Sequence, residues 1–344
     1  MPHLAGQTEA DLASWALAEG ATAGAARVLA RALLADFAAR PVRQAPAGEL
    51  LARARARFDS ALPPADAARD ADGTTRFAVR LLDGNVAETV AIHQQVSELR
   101  AKERWTVCLS SQVGCARGCV FCETGRLGLV RNLAAAEIVA QYAIAVRHLG
   151  FAPRNVVFMG MGEPLDNLEQ VLAAIAVLRE PAGFAIPERR ITVSTVGIVP
   201  RMDELMARTR VNLAVSLHAI DPGTRLSLLP VARRWSLPEL RAAIARSPRT
   251  VLLQWTLIRG VNDSDRDADA LAEFASDLDV RVNLIPLNPG PDPRQEAPPL
   301  SRCRSFQKRL LSRGVRALLR LPHGRSVGGA CGQLAGSRRA AAPA

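Results

Sequence analysis

WTVCLSSQVGCARGCVFC, residues 105–122, joins a β-branched apolar run to a short glycine-containing loop carrying Cys115, Cys119 and Cys122. The run predicts a strand over Trp105–Ser111, and further strands are expected at Asn155–Gly160, Arg190–Thr195, Asn212–Leu217, Val251–Ile258 and Arg281–Leu287, with a seventh candidate at Val315–Leu321. Helical periodicity fills the intervals at Ala134–Leu149, Leu168–Arg179, Pro238–Arg246, Asp265–Leu278 and Ser301–Leu311. Parallel strands need crossover helices, so six βα repeats predict an α/β fold, a partial (β/α)6 barrel. In such barrels the chemistry sits on loops after the strand C-termini. The polar punctuation falls there: GCARGC, GMGEP, STVG, SLHA and NPGP follow strands one, two, three, four and six.

Working outward, residues 1–72 are Ala-, Leu- and Arg-rich, with helical spacing in Glu9–Glu19, Ala25–Ala39 and Glu49–Phe58 and proline breaks between them, which predicts a small N-terminal helical accessory domain. Residues 73–104 read as a hairpin linker. In it Arg76–Leu82 and Glu88–Ile92 flank an Asp83-Gly84-Asn85 turn. The barrel and a C-terminal cysteine segment take residues 105–335, and 336–344 read as a disordered tail. No internal repeat is visible.

The 344 residues carry 44 Lys plus Arg against 33 Asp plus Glu, a net charge of +11 that suits a polyanion such as RNA or reflects an Arg-rich proteome. With aromatics at 4% and a single Tyr, an aromatic base-stacking platform has little material, so RNA would be held through its phosphates. No apolar run approaches a bilayer span and the N-terminus has no signal-peptide core, which predicts a soluble cytoplasmic protein without membrane contact.

Four of the six cysteines lie within fifteen residues, a spacing that points to metal binding or catalysis rather than a secretory disulfide framework. Cys115-x3-Cys119-x2-Cys122 can wrap a 4Fe-4S cluster and leave its fourth iron without a protein ligand. S-adenosylmethionine (SAM) can chelate that iron and be cleaved reductively. Zinc would need a fourth ligand; His93 is the only nearby upstream histidine, and the strand position of Cys108 argues against it.

The stretch WTVCLSSQVGCARGCVFCETGRLGLVRNL resembles the RlmN/Cfr family of radical SAM RNA adenine methyltransferases, and the likeness continues through VVFMGMGEPLDN, RRITVSTVGIVP, LAVSLHA, LIRGVNDS, VNLIPLNPG and ACGQLAG, roughly residues 84 to 336. The resemblance implies a radical SAM barrel, a 4Fe-4S cluster on the cysteine triad, and SAM contacts at Gly162, Glu163, Ser194, Ser216, Leu217, His218 and Asn288. It also implies a relay that uses two SAM per turnover. Cys331 is methylated by one SAM, a second SAM yields a radical that activates the S-methyl group for addition to an adenine ring carbon, Glu88 accepts the ring proton, and Cys108 resolves the protein–RNA thioether through a transient disulfide with Cys331. The partners implied are RNA, as an adenine in rRNA or tRNA, and an electron donor such as flavodoxin or ferredoxin; the chain is expected to be a monomer.

Read without the resemblance, the same residues have plainer roles: Glu163 as an acid at a helix N-terminus, His218 as a satisfied rim histidine, Cys108 as a buried strand residue and Glu88 on the solvent face of the hairpin. Cys303 reads as packing. The chain departs from the family pattern in lacking an FRAxQ-like N-terminal segment, in carrying RLPHGRSVGGACGQL in place of an RG-x-DI-like stretch, in having Trp255 with no acid near Gln254, and in a long Val96–Arg104 stretch. Two other classes stay open: the same relay acting on a small molecule or natural-product precursor, and a basic RNA-binding protein with a structural cluster.

Overall fold

Side-chain caps start the helices that open the chain: Thr8 and Asp11 form a capping box on α1 (Glu9–Ala18), and Thr22 caps α2 (Ala23–Phe37), with α3 (Gly48–Arg57) following. Their apolar faces, including Leu12, Leu29 and Phe37, share one core with the barrel. Phe37 meets Phe184 edge-on, and Phe184 in turn meets Tyr142. The chain's single tyrosine is therefore wholly buried, its hydroxyl donating to the Pro153 carbonyl at 2.5 Å.

This computed structural model describes residues 1–94, 104–290, 292 and 295–335. The long Val96–Arg104 stretch, apart from Arg104, and the 336–344 tail lie outside them. After α3 come β1 (Ala65–Arg69), β2 (Thr75–Arg80), β3 (Val86–Gln94) and β4 (Arg104–Leu109), paired antiparallel in sequence order. The Asp83-Gly84-Asn85 turn forms as expected, with Gly84 at φ +81°. Strand β1 falls within residues 1–72, expected as a helical domain, beyond the last predicted helical run at Glu49–Phe58. Its ADAAR composition has no strand preference, and pairing along the open edge of β2 overrides that propensity.

A two-stranded sheet of β5 (Gln112–Gly114) and β6 (Leu129–Asn132) brackets the cysteine loop and its single-turn helix α4 (Glu123–Arg126). Then helices and strands alternate: α5 (Ala135–Leu149), β7 (Asn155–Phe158), α6 (Leu168–Arg179), β8 (Ile191–Thr195), α7 (Val199–Arg208), β9 (Asn212–Ser216), α8 (Pro222–Leu228), α9 (Leu237–Ala245), β10 (Val251–Leu257), α10 (Asp265–Ala275), β11 (Val280–Pro286), α11 (Leu300–Ser312) and β12 (Ala317–Leu319). Strands β4, β7, β8, β9, β10, β11 and β12 are all parallel neighbours, and β1 to β3 extend the same ten-stranded sheet past β4. The parallel sheet with its helices is the expected α/β barrel, with β12 at the edge beyond β11.

Several strands end earlier than predicted because their last residues turn into the rim. Leu109 accepts from Gly160 N, while Ser111 N and Gln112 N both donate to Met161 O. Trp255, a departure from the family pattern, packs toward α11 and does not line the rim cavity. It is fully buried beside Phe306, with its indole N–H donating to the Asn262 carbonyl at 3.1 Å. Cys303 is likewise buried in this core.

Candidate active site

The cysteine loop leaves β5 and is fixed at both ends. Cys115 N donates to Gly128 O at 2.9 Å and Val120 N to Leu228 O at 3.2 Å. Arg117, between the first two cysteines, pairs in a two-pronged fashion with Asp166, its Nε donating to Oδ2 at 2.7 Å. That fork ties the loop to the turn after β7.

Cys115, Cys119 and Cys122 line one cavity at the rim, together with Gly162, Glu163, Ser194, Ser216, His218 and Asn288. Burial pushes the Cys115 thiol up to about 12 and raises Cys119 and Cys122, with the neighbouring thiols adding to the effect at each. Such a pocket favours three thiolates only when positive charge joins them. Among the described residues no three His, Cys, Asp or Glu side chains converge closely enough to hold a single metal ion. Three thiols lining one cavity, each able to bind its own iron, are a donor set that fits a 4Fe-4S cluster.

The GMGEP turn needs its glycines. A Cβ on Gly160 would lie 2.8 Å from the Leu109 carbonyl, and one on Gly162, at φ +97°, would lie 2.5 Å from the Gln112 side chain. Gln112 Oε1 accepts from Glu163 N at 2.8 Å. The Glu163 carboxylate accepts from Leu165 N at 3.0 Å and from Val196 N at 2.9 Å, so it both caps the turn Pro164–Asn167 and joins the loop after β7 to the loop after β8. Burial raises its pKa to about 7, against the pull of those N–H groups.

His218 adopts left-handed backbone at φ +59° and accepts from Thr256 N through Nδ1 at 2.9 Å, which leaves the proton on Nε2. Burial lowers its pKa to about 3, with Arg225 adding to the effect, and the ring meets Phe121 of the cysteine loop edge-on. Leu217 differs from the other residues expected to contact SAM. Its side chain is fully buried in the core rather than lining the cavity, and its N–H donates to Gln254 O.

A second cavity adjoins the first and is lined by Cys108, Cys331, Arg320, His323 and Leu334 among others; Cys122, Thr124, Ile285, Asn288 and Cys331 are among the residues that line both. Cys108 and Cys331 are free thiols, and burial, with Cys331 nearby, pushes Cys108 up to about 12. Cys108 is thus removed from the cysteine triad's cavity and set beside Cys331. The segment carrying Cys331 is held by the Asn288 amide donating to Cys331 O at 3.1 Å, Glu123 N donating to Gly332 O at 2.8 Å and the Thr124 hydroxyl donating to Leu334 O at 2.5 Å. Glu88 is fully buried, not on a solvent face. Its carboxylate pairs with Arg76 and accepts from Ala335 N at 2.9 Å, and it lines neither cavity.

A match to the radical SAM superfamily spans residues 109–272. A probable RNA methyltransferase of Sorangium cellulosum is 44% identical over 99% of this chain and 89% of its own length. The dual-specificity RNA methyltransferase RlmN of Geotalea uraniireducens is 44% identical over 77% of this chain and 76% of its own. The chain belongs to the RlmN/Cfr family of radical SAM RNA methyltransferases. A crystal structure of a radical SAM methyltransferase from Sphaerobacter thermophilus, 39% identical, superposes with a TM-score of 0.84 over 97% of this chain and 99% of that one.

Membership of a radical SAM family implies SAM and a 4Fe-4S cluster, which accounts for a cavity rimmed by three thiols. Reasoning from the sequence missed the bonds that hold this RlmN/Cfr-family site together. Nothing in the spacing joins Arg117 to Asp166, Thr124 to Leu334 or Glu88 to Ala335, since each pair meets only through the fold.

Proposed function

We propose that this chain methylates a ring carbon of adenine in rRNA or tRNA through an S-methyl intermediate on Cys331, consuming two SAM per turnover. One observation carries the reading: Cys331 lines both the cavity of the cysteine triad and the cavity of Cys108. A methyl group on its sulfur could be activated on one side and transferred on the other.

Cys115, Cys119 and Cys122 would hold the cluster, and Gly162, Glu163, Ser194, Ser216, His218, Asn288 and the main chain at Leu217 would hold SAM. When bound, cluster and SAM together supply a radical able to take hydrogen from an S-methyl group. The protein orients that chemistry. Glu163, whose two oxygens each accept one backbone N–H, keeps acceptor capacity for the SAM ammonium. Neutral His218 adds no positive charge to a cavity that must receive a sulfonium.

Cys331 accepts the methyl group and, once its methylene carbon has bonded to the adenine ring, Cys108 attacks the Cys331 sulfur: the S–S bond forms as the C–S bond breaks, and the carbon keeps that electron pair and takes up a proton to become the product methyl. Because Cys108 is held as a neutral thiol, it must lose its proton as it attacks, and Arg320 at the cavity wall stabilises the resulting thiolate. Glu88 is assigned the ring proton. For it to act, its bond to Ala335 must open, so the C-terminal segment would move during turnover. Thiol exchange and an external one-electron donor such as flavodoxin or ferredoxin would reset the enzyme.

With aromatics only 4% of the chain, phosphate contacts by the arginine-rich surface are the proposed means of holding RNA. No helix among the described residues is long and apolar enough to cross a membrane. We assign the enzyme to the cytoplasm as a monomer, with residues 1–72 as its accessory domain, 73–104 as the linker and 105–335 as the catalytic unit. The test is nucleoside mass spectrometry of rRNA and tRNA from cells with and without the gene. Loss of a methyladenosine is expected, and unchanged methyladenosine in both pools would overturn the reading.

A further inference from the structure

Gln254 lies on β10 between Leu253 and Trp255, whose side chains are fully buried in the core, and it lines the cavity of the cysteine triad. It is 4% exposed, yet neither its Nε2 nor its Oε1 has a hydrogen-bond partner among the described residues. The other buried polar groups at this cavity are engaged: Glu163 with two backbone N–H groups, His218 with Thr256 N and Asn288 with Cys331 O. Even the Gln254 main chain is satisfied, its carbonyl accepting from Leu217 N at 3.0 Å. The unpaired atoms are confined to the amide, and burying both without partners opposes folding.

We propose that Gln254 reads the adenine of bound SAM, with Oε1 accepting from the exocyclic 6-amino group and Nε2 donating to an adjacent ring nitrogen. A primary amide presents a coplanar acceptor and donor, which is the complement of an adenine edge. Neither the ribose hydroxyls nor the methionine carboxylate offers that donor–acceptor pair in one rigid plane. Leu287, just past β11, lines this cavity and not the Cys108 cavity, and supplies an apolar surface for a purine face. The adenine concerned is the cofactor's and not the RNA target's, because Gln254 does not line the Cys108 cavity. The inference deepens the assignment of the first cavity to SAM and rests on it.

The test uses reconstituted holoenzyme and two unreactive probes, S-adenosylhomocysteine and its 6-desamino purine analogue, with dissociation constants measured without RNA. Wild type is expected to bind the analogue about tenfold more weakly, the scale of one lost hydrogen bond that leaves a buried partner unpaired. Gln254→Leu, similar in volume and without polar atoms, is expected to bind S-adenosylhomocysteine about tenfold more weakly than wild type and to bind the two probes within twofold of each other. Its SAM-free melting temperature is expected to rise, since the unpaired amide is gone. Equal affinity of wild type for the two probes would overturn the proposal with no variant needed, as would discrimination that survives in Gln254→Leu. If wild type bound neither probe, the SAM assignment of the cavity would fall with it.

Discussion

The two adjoining cavities share Cys331 but are built in different ways. The first is walled by the ends of parallel strands, where each rim loop is stitched to the next: Glu163 bridges the loops after β7 and β8, and Gln112 grips the main chain at Glu163. The second is closed by one segment, residues 320–335, laid across the sheet edge. It is attached through isolated bonds: Thr124 to Leu334, Glu123 to Gly332, Asn288 to Cys331, Glu88 to Ala335, and Asp70 and Asp72 to Ser326 and Gly324. Each such bond contributes on the order of 1 kcal/mol net. These bonds lie outside the strand ladders and can open without breaking the sheet, which suits a fixed site for making a radical beside a movable carrier for its product.

The largest effect should separate the two regions outright. Cys119→Ala is expected to lose the cluster and all product, whereas Cys331→Ala should keep iron content and SAM binding while RNA methylation drops to background. Iron analysis with a methylation assay reads both, and loss of the cluster in Cys331→Ala would erase the distinction. Next comes the clamp of the first cavity. Asp166→Ala removes the carboxylate paired with the half-buried Arg117 guanidinium and should cost about 1–2 kcal/mol in denaturant unfolding, with lower iron occupancy. Asp166→Glu should recover part of both.

The pH response also belongs to the first cavity. Burial holds the His218 pKa down to about 3, so folding favours the neutral ring. That contribution is complete above about pH 6.5 and is lost as pH falls toward 3, with a slope approaching about 1.4 kcal/mol per pH unit. Glu163, raised to about 7, acts in the opposite sense: its contribution is complete below about pH 4.5 and is lost as pH rises through 7. His218→Asn, which tolerates the left-handed backbone, should therefore lose less stability than wild type between pH 6.5 and 4.5. Parallel stability curves for the two proteins would show that His218 is not the titrating group. The smallest effect is on the second cavity. Thr124→Val should weaken the hold on the C-terminal segment by about 1 kcal/mol, seen as faster hydrogen exchange in residues 330–335.

The same contrast marks what the sequence made legible. The barrel could be read because each parallel strand is a local β-branched run and each crossover a local helical period. The cysteine triad could be read because its chemistry demands close spacing. Strand β1 could not, since ADAAR is a strand only through its pairing with β2. The plainer reading of Glu88, the solvent face of the hairpin, fails because the sheet is covered there by a segment 247 residues away, whose Ala335 N–H meets the carboxylate. Leu217 was grouped with its polar neighbours in SLHA, yet the turn sends its side chain into the core. The isolated bonds of the second cavity join residues with no sequence relation, so only the fold reveals them.

The central claim, that Cys331 carries the methyl group from one cavity to the other and Cys108 releases it, is tested most directly by purifying Cys108→Ala after it has worked on RNA. The account predicts protein covalently bound to RNA, with mass spectrometry placing the link between the Cys331 sulfur and a methylene-bridged adenosine. Free protein, with RNA methylated at the wild-type rate, would contradict it.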